Sequence, residues 1–286
     1  MREIETASVA EAVREMCVEA NLSPAPDVAE AIARAAKTEE SPLGREVLRQ
    51  ILRNHRVAAR RRLPVCQDTG FAVVFLDVGQ EVRLVGGNLE EAVNEGVRRG
   101  YAEGHLRSSI VDDPVFARRN TGDNTPAMIH TRIVAGNSVQ LVLAPKGGGA
   151  ENMSKVRMMT AADGMDGIMD FVVDRVRRSG GNPCPPVIVG VGVGGTFEGC
   201  ALLAKRALLR PIDTRHADPR YAGAEREMLR RINALGIGPQ GFGGSTTALG
   251  VCVETFPCHM ATMPVAVNIQ CHAARHVRRV IGGGGE

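Results

Sequence analysis

Tryptophan is absent from this sequence and aromatic residues make up only 3% of it, which leaves no stacking platform of the kind single-stranded nucleic acid requires. Nor is there an excess of one charge: the net +3 is small and spread along the chain, so the basic footprint of a nucleic-acid binder is missing. No apolar run approaches the roughly 20 residues that span a bilayer. Residues 1–20 mix acids and bases at helical spacing and lack the apolar core of a signal peptide. The seven cysteines include no C-x-x-C pair and are odd in number, which favours free thiols and metal ligands in a reducing compartment over a disulfide framework. Together these absences lead us to expect a cytoplasmic enzyme acting on a small molecule.

What the 286 residues do contain is ordinary for a soluble globular chain, 44% hydrophobic against 23% charged, and enough for a substantial core. Apolar positions recurring at three and four predict helices over 8–20, 27–36 and 42–62. The last of these ends in Arg60-Arg61-Arg62, a solvated basic end that suits the helix dipole. Alternation over 71–78 predicts a strand, and 88–100 a helix capped by Asn88 with Glu91 three residues on. Periodicity vanishes over 104–125, and a loop of that length is usually functional. Segments 127–133 and 138–144 flank Gly136-Asn137 and predict a hairpin. Helical segments follow to residue 178, then a buried strand over 187–193 leading into a helix, and another helix over 221–234. Strands at 249–255 and 260–269 and a short helix from His272 complete the chain. The interleaving predicts a mixed α/β (α+β) fold, with a helical N-terminal subdomain over 1–62 and an α/β domain over 63–286 that carries the chemistry.

Three cysteines lie in settings unlike a core. Cys66 sits in Pro64-Val65-Cys66-Gln67-Asp68-Thr69-Gly70, Cys184 between prolines in Asn182-Pro183-Cys184-Pro185-Pro186, and Cys271 opens Gln270-Cys271-His272-Ala273-Ala274-Arg275. A structural cysteine usually hides in an apolar stripe, whereas these stand at turns or element ends where a thiolate can reach an iron–sulfur or zinc site. The other four, Cys17, Cys200, Cys252 and Cys258, fall in helix- or strand-like stretches and read as structural. Ligands 118 and then 87 residues apart have no local signature, and zinc is better served by closely spaced pairs.

Gly190-Val191-Gly192-Val193-Gly194-Gly195 matches G-x-G-x-x-G after an apolar run. A dinucleotide fold would add βα units and an acidic strand end about 20 residues later; Asp213 is near that distance, but 208–213 is a poor strand and the rest of the chain is mostly accounted for otherwise. Close backbone approach is the better reading. Lys146-Gly147-Gly148-Gly149 lacks the trailing residues of a P-loop, yet its N–H groups suit a small carboxylate. Gln67 and Asp68 put an amide and a carboxylate beside Cys66, and Arg107 can grip a carboxylate bidentately.

Taken together, V-C-Q-D-T-G, L-R-S-S, N-T-G-D-N-T-P-A, P-K-G-G-G-A-E-N, N-P-C-P-P and Q-C-H-A-A-R resemble the class I, iron–sulfur-dependent fumarate hydratases. They match in order from Cys66 to Arg275; the iron–sulfur L-tartrate dehydratases resemble the same pattern. The resemblance implies a [4Fe–4S] cluster ligated by Cys66, Cys184 and Cys271, with one iron open to substrate as a Lewis acid. It implies Gln67, Asp68, Arg107, Gly148, Gly149 and His259 as substrate-binding residues for a small dicarboxylate, with Asp68 and His259 as the catalytic candidates. It implies reversible hydration of fumarate to (S)-malate; the alternatives are tartrate dehydration and a non-catalytic redox sensor.

The sequence stops fifteen residues after Cys271, at Gly282-Gly283-Gly284-Gly285-Glu286, where single-chain members continue into a second domain. It therefore looks like the α subunit of a two-subunit enzyme, inactive without a β subunit that completes the site, in an α2β2 assembly. Ala150 and Met153 stand where other members carry Ser and Lys.

Overall fold

The computed structural model describes residues 1–282, and the glycine-rich end at 283–286 lies outside them. Along the chain run β1 (Arg2–Glu5), α1 (Thr6–Leu22), α2 (Pro26–Thr38), α3 (Pro42–Arg61), β2 (Phe71–Gly79) and β3 (Val82–Val85). Next come α4 (Leu89–Glu103), β4 (Met128–Val134), β5 (Val139–Lys146), α5 (Gly148–Glu151), β6 (Lys155–Met159) and α6 (Gly164–Ser179). The chain closes with β7 (Val187–Gly194), α7 (Phe197–Ala207), α8 (Pro219–Asn233), β8 (Ala248–Phe256), β9 (Met263–Gln270) and β10 (Val277–Ile281). The fold is α+β, as the interleaved pattern predicts, and its first sixty residues are mostly helical. Among the described residues no helix is long and apolar enough to cross a membrane.

Two compact units divide the chain. The first comprises 1–25, 57–148 and 275–286; the second comprises 26–56 and 149–274. In the first, a sheet of order β10-β5-β2-β4 meets α1 and α4 over a core that includes Val9, Val13, Met16, Val97, Leu76 and Leu141. Asn88 caps α4 as its position predicts, its Oδ1 accepting the N–H groups of Glu90 and Glu91. In the second unit the sheet order is β6-β9-β7-β8, and the core gathers Val189, Val191, Phe171, Met228, Ile232 and Ile269.

All but the last glycine of the G-x-G-x-x-G stretch lies inside β7. A Cβ on Gly190 would stand 2.2 Å from the Ala204 carbonyl, and one on Gly192 would stand 2.1 Å from that of Cys200. The glycines thus let α7 lie directly on the strand, which is the close approach expected of them.

Four local expectations are corrected. β4 and β5 form no hairpin: β2 lies between them, parallel to β4 and antiparallel to β5. The strand buried along nearly its whole length takes the centre, and the largely exposed β4 takes the edge. Within the stretch read as helical to 178, residues 155–159 form β6, paired antiparallel with β9. The segment after Cys271 forms no helix: it turns, with Ala273, Ala274 and Arg275 buried, and passes into β10. Cys258 is exposed beyond the end of β8, while Cys17, Cys200 and Cys252 are buried as structural cysteines should be.

Candidate functional site

In the first unit, the Cys66 turn is short because Phe71 immediately starts β2, and nearly every backbone group near it is tied down. The Val65 N–H donates to the Asn21 carbonyl at 2.8 Å. The buried Tyr101 hydroxyl donates to the Thr69 and Gly70 carbonyls at 2.8 and 3.0 Å. Asn124, fully buried, donates to the Gly70 carbonyl at 3.1 Å and accepts the Ser109 N–H at 2.8 Å. The Thr69 hydroxyl donates to the Arg107 carbonyl at 3.0 Å. Two ends of the long 104–125 loop are thereby sewn to the Cys66 turn. Gly70 has φ +78°, and a Cβ there would stand 2.8 Å from the Lys146 backbone, so this turn and the end of β5 meet only through glycine.

Asp68 faces the glycine run. Its Oδ1 accepts the Gly70 N–H at 3.1 Å and its Oδ2 accepts the Gly148 N–H at 2.9 Å. The anion that the glycine run receives is thus supplied from within the chain. Gln67 and Arg107 are exposed, and Cys66 is half-buried. The first unit therefore brings Cys66, Gln67, Asp68, the Arg107 backbone and Gly148 together.

In the second unit, Cys184 is exposed with φ +55°, and its N–H donates to the Gly181 carbonyl at 3.0 Å. Gln240 holds the next residue, both its backbone N–H and its side-chain amide donating to the Pro185 carbonyl at 2.8 Å. The His272 N–H reaches the Cys184 carbonyl at 3.4 Å. Cys184 precedes β7 and Cys271 follows β9, and the register that pairs Ile188 with Gln270 sets both turns at one end of the sheet. A Cβ on Gly149 would lie 3.8 Å from the Asn182 carbonyl, beside the Cys184 turn.

His259 lies elsewhere. It is exposed in the turn between β8 and β9, its Nδ1 accepting the Ala261 N–H at 3.1 Å. That turn adjoins the Gly194 end of β7, roughly 20 Å along the strand from the end that carries Cys184 and Cys271, at about 3.3 Å per residue. Within one copy of the unit His259 and the two cysteines are not brought together.

The thiols divide by environment. Burial pushes the Cys17 and Cys200 thiols up and raises Cys252 to about 11, which keeps these three protonated and poor ligands. Cys66, Cys184 and Cys271, by contrast, are half-buried or exposed. Two further groups went unremarked in the sequence. Arg275 is buried, its Nη2 donating to the Asp68 carbonyl, while its Nε and Nη1 meet no acceptor among the described residues. His55 of α3 is buried with both ring nitrogens unpartnered, and its ring stacks on His272 with centroids 6.2 Å apart. Only the Arg275 signal was visible beforehand, as the last letter of Q-C-H-A-A-R. Accessible thiols with a buried cation beside one of them suit an anionic iron–sulfur group. Within either unit alone, no three His, Cys, Asp or Glu side chains among the described residues gather at metal-binding distance.

Comparison with known proteins agrees with the motifs. A sequence model of the family described as fumarate hydratase (fumerase) matches residues 10–280. A protein of Methanocaldococcus jannaschii, provisionally named L(+)-tartrate dehydratase subunit alpha, is 38% identical over 277 residues, covering 95% of this chain and 97% of its own. L(+)-tartrate dehydratase subunit alpha of Escherichia coli strain K12 is 32% identical over 251 residues, covering 87% and 82%. The Shigella sonnei protein of the same name is similar to the same extent, 32% over 251 residues.

Proposed function

Because the chain belongs to the fumarate hydratase (fumerase) family, we propose that it is the α subunit of an iron–sulfur hydro-lyase that interconverts fumarate and (S)-malate in the cytoplasm. The observation that carries this is the joining of Cys184 and Cys271, 87 residues apart in sequence, at one sheet end through the His272 N–H. The thiolates that hold the cluster are those of Cys66, Cys184 and Cys271. A [4Fe–4S] cluster so bound supplies a Lewis acid at the iron that lacks a cysteine.

The remaining work falls to the chain's own side chains. Dehydration of malate removes a proton from C3 and hydroxide from C2. Asp68 takes the proton: its carboxylate is fixed by two backbone N–H groups, which leaves lone pairs free to accept it. In hydration the same carboxyl returns it. The exposed Arg107 guanidinium binds a substrate carboxylate bidentately, with the Gln67 amide and the Gly149 N–H as further donors. Gly148 serves the substrate through Asp68, since its N–H is already given to that carboxylate. His259, at the far end of β7, leaves the acid–base role to Asp68 within a single copy.

The similar proteins are named alpha subunits, and the proposal includes a separate β subunit that completes the site in an α2β2 assembly, the α chain alone being inactive. Their names also favour a second reading of the substrate, L(+)-tartrate, which differs from malate by one hydroxyl; a site built to bond that hydroxyl can discriminate strongly. Anaerobic reconstitution with iron and sulfide, followed by fumarate and tartrate assays with and without candidate β subunit, tests all of this. We expect a visible charge-transfer band that is lost in Cys66→Ser, Cys184→Ser and Cys271→Ser and kept in Cys258→Ser. Activity should arise only in the mixture, and Asp68→Asn should lose turnover with its cluster intact. A cluster with no hydro-lyase activity under any pairing would make the protein a sensor, and absence of any cluster would end the proposal.

A further inference from the structure

We propose that Arg275 is a positioning residue that pins the Cys66 turn and directs its remaining N–H groups at the anionic iron–sulfur group held by Cys66, an inference that rests on the cluster reading above. Arg275 is only 4% exposed. One nitrogen, Nη2, donates to the Asp68 carbonyl, two residues after Cys66. Nε and Nη1 are also shielded from solvent and meet no acceptor among the described residues. Buried N–H donors are rarely left without an acceptor, so a folded chain keeps two on one guanidinium only where something accepts them.

No described side chain gives those two nitrogens an acceptor. Asp68 turns its carboxylate oxygens to the N–H groups of Gly70 and Gly148 and offers the guanidinium only its backbone carbonyl. Tyr101, whose hydroxyl bonds the next two carbonyls of the turn, is driven further toward its neutral form by burial. The acceptor that fits is the thiolate of Cys66 together with whatever anionic group it binds. A guanidinium is permanently charged and presents planar, forked donors, and so can hold the turn through one nitrogen while serving the anion through the others.

The test uses the full chain reconstituted anaerobically with iron and sulfide, comparing the unmodified protein with Arg275→Met and Arg275→Lys. Readouts are iron per chain, the reduction potential, and hydrogen exchange over residues 64–70 in cluster-free protein. Arg275→Met should bind less iron, exchange faster at 64–70, and show a more negative potential, because loss of a nearby positive charge disfavours the added electron. Arg275→Lys should return the potential toward that of the unmodified protein while the turn still exchanges faster, since a single ammonium replaces the fork. Unchanged potential, iron content and exchange in Arg275→Met would overturn the inference with the cluster reading intact. Should Arg275→Met fail to fold, a potential in Arg275→Gln equal to that of the unmodified chain would overturn it equally. An unmodified chain that builds no cluster would overturn both readings, and is told apart because it needs no substitution.

Discussion

Removing the Glu39 carboxylate should loosen the second unit and, through it, the Cys184 turn. Glu39 is 2% exposed and sits between α2 and α3. Its carboxylate accepts the N–H groups of Ser41 at 2.9 Å, Ser245 at 2.8 Å and Thr246 at 2.7 Å, and the Ser245 hydroxyl at 3.2 Å. In Glu39→Ala one fully buried N–H and two half-buried N–H groups lose a charged acceptor, while the fourth donor, the Ser245 hydroxyl, can rotate to another. At about 1–3 kcal/mol for each donor left unmet, with the half-buried pair at the low end, the loss is about 3–5 kcal/mol. For a unit of this size that lowers the melting temperature by roughly 10 °C. Glu39→Gln keeps one acceptor oxygen but turns an amide donor toward a donor, so about half of that loss is expected.

The pH dependence has a definite sign. Burial alone would raise the Glu39 carboxyl, but the backbone N–H groups of Ser41 and Ser245 and the donors of Thr246 outweigh it and hold the group below its ordinary 4.5. The contribution is therefore complete above the unfolded value and lost as pH falls through the lower folded one; in Glu39→Gln that acid-side slope should flatten. The segment that Glu39 anchors leads to Thr247, whose carbonyl accepts the Val187 N–H, and carries Gln240, which holds Pro185. Urea unfolding followed by circular dichroism gives the energy, and hydrogen exchange over 182–187 shows whether the Cys184 turn loosens with it. A Glu39→Ala protein within about 1 kcal/mol of the parent would refute the reasoning, because unmet buried donors cannot be that cheap.

Three further expectations follow from other sites. Tyr101→Phe deprives the Thr69 and Gly70 carbonyls of their hydroxyl donor and should cost about 1–2 kcal/mol, read as a lower urea midpoint with the fold retained. Gly192→Ala would set a methyl 2.1 Å from the Cys200 carbonyl; the cost should exceed the roughly 1–3 kcal/mol of ordinary overpacking, and soluble protein melting like the parent would contradict the packing described for α7. Burial lowers His55 to about 4 from 6.5, so between those values the unfolded chain binds the extra proton. Stability should then be full above about pH 6.5 and fall by up to about 3 kcal/mol as pH drops toward 4; His55→Phe should flatten that slope in urea midpoints measured from pH 7.5 to 4.5.

Much of the local structure was legible because it obeys short-range rules. Asn88 announces a helix start by its own side-chain chemistry, and the helical periodicity of the first sixty residues follows from one buried face. The apolar run 187–193 reads as a buried strand because its residues offer no polar face. Strand pairing was not legible. Gly136-Asn137 carries the signal of a hairpin, yet the loop passes over β2, whose near-complete burial wins it the place between β4 and β5. β6 and β10 are short, and their alternation is too brief to stand out from neighbouring turns.

The candidate site divides in the same way. Local setting singled out Cys66, Cys184 and Cys271, because a thiol among prolines, before a Gln-Asp pair or at an element end is a poor core residue wherever the fold puts it; Asp68 was singled out by the family resemblance. Only tertiary structure could show what holds Asp68 and where His259 lies. Asp68 is held by the N–H of Gly148, 80 residues later in the chain. His259, only 12 residues before Cys271 in sequence, is carried to the other end of the sheet by the length of β9. Only tertiary structure, too, could reveal the unmet donors of Arg275, since whether a charge is satisfied depends on which distant backbone it meets. Sequence determines what each residue can do chemically, whereas the strand register determines which of them share an end of the sheet, because a β-strand moves its neighbours apart by about 3.3 Å with every residue.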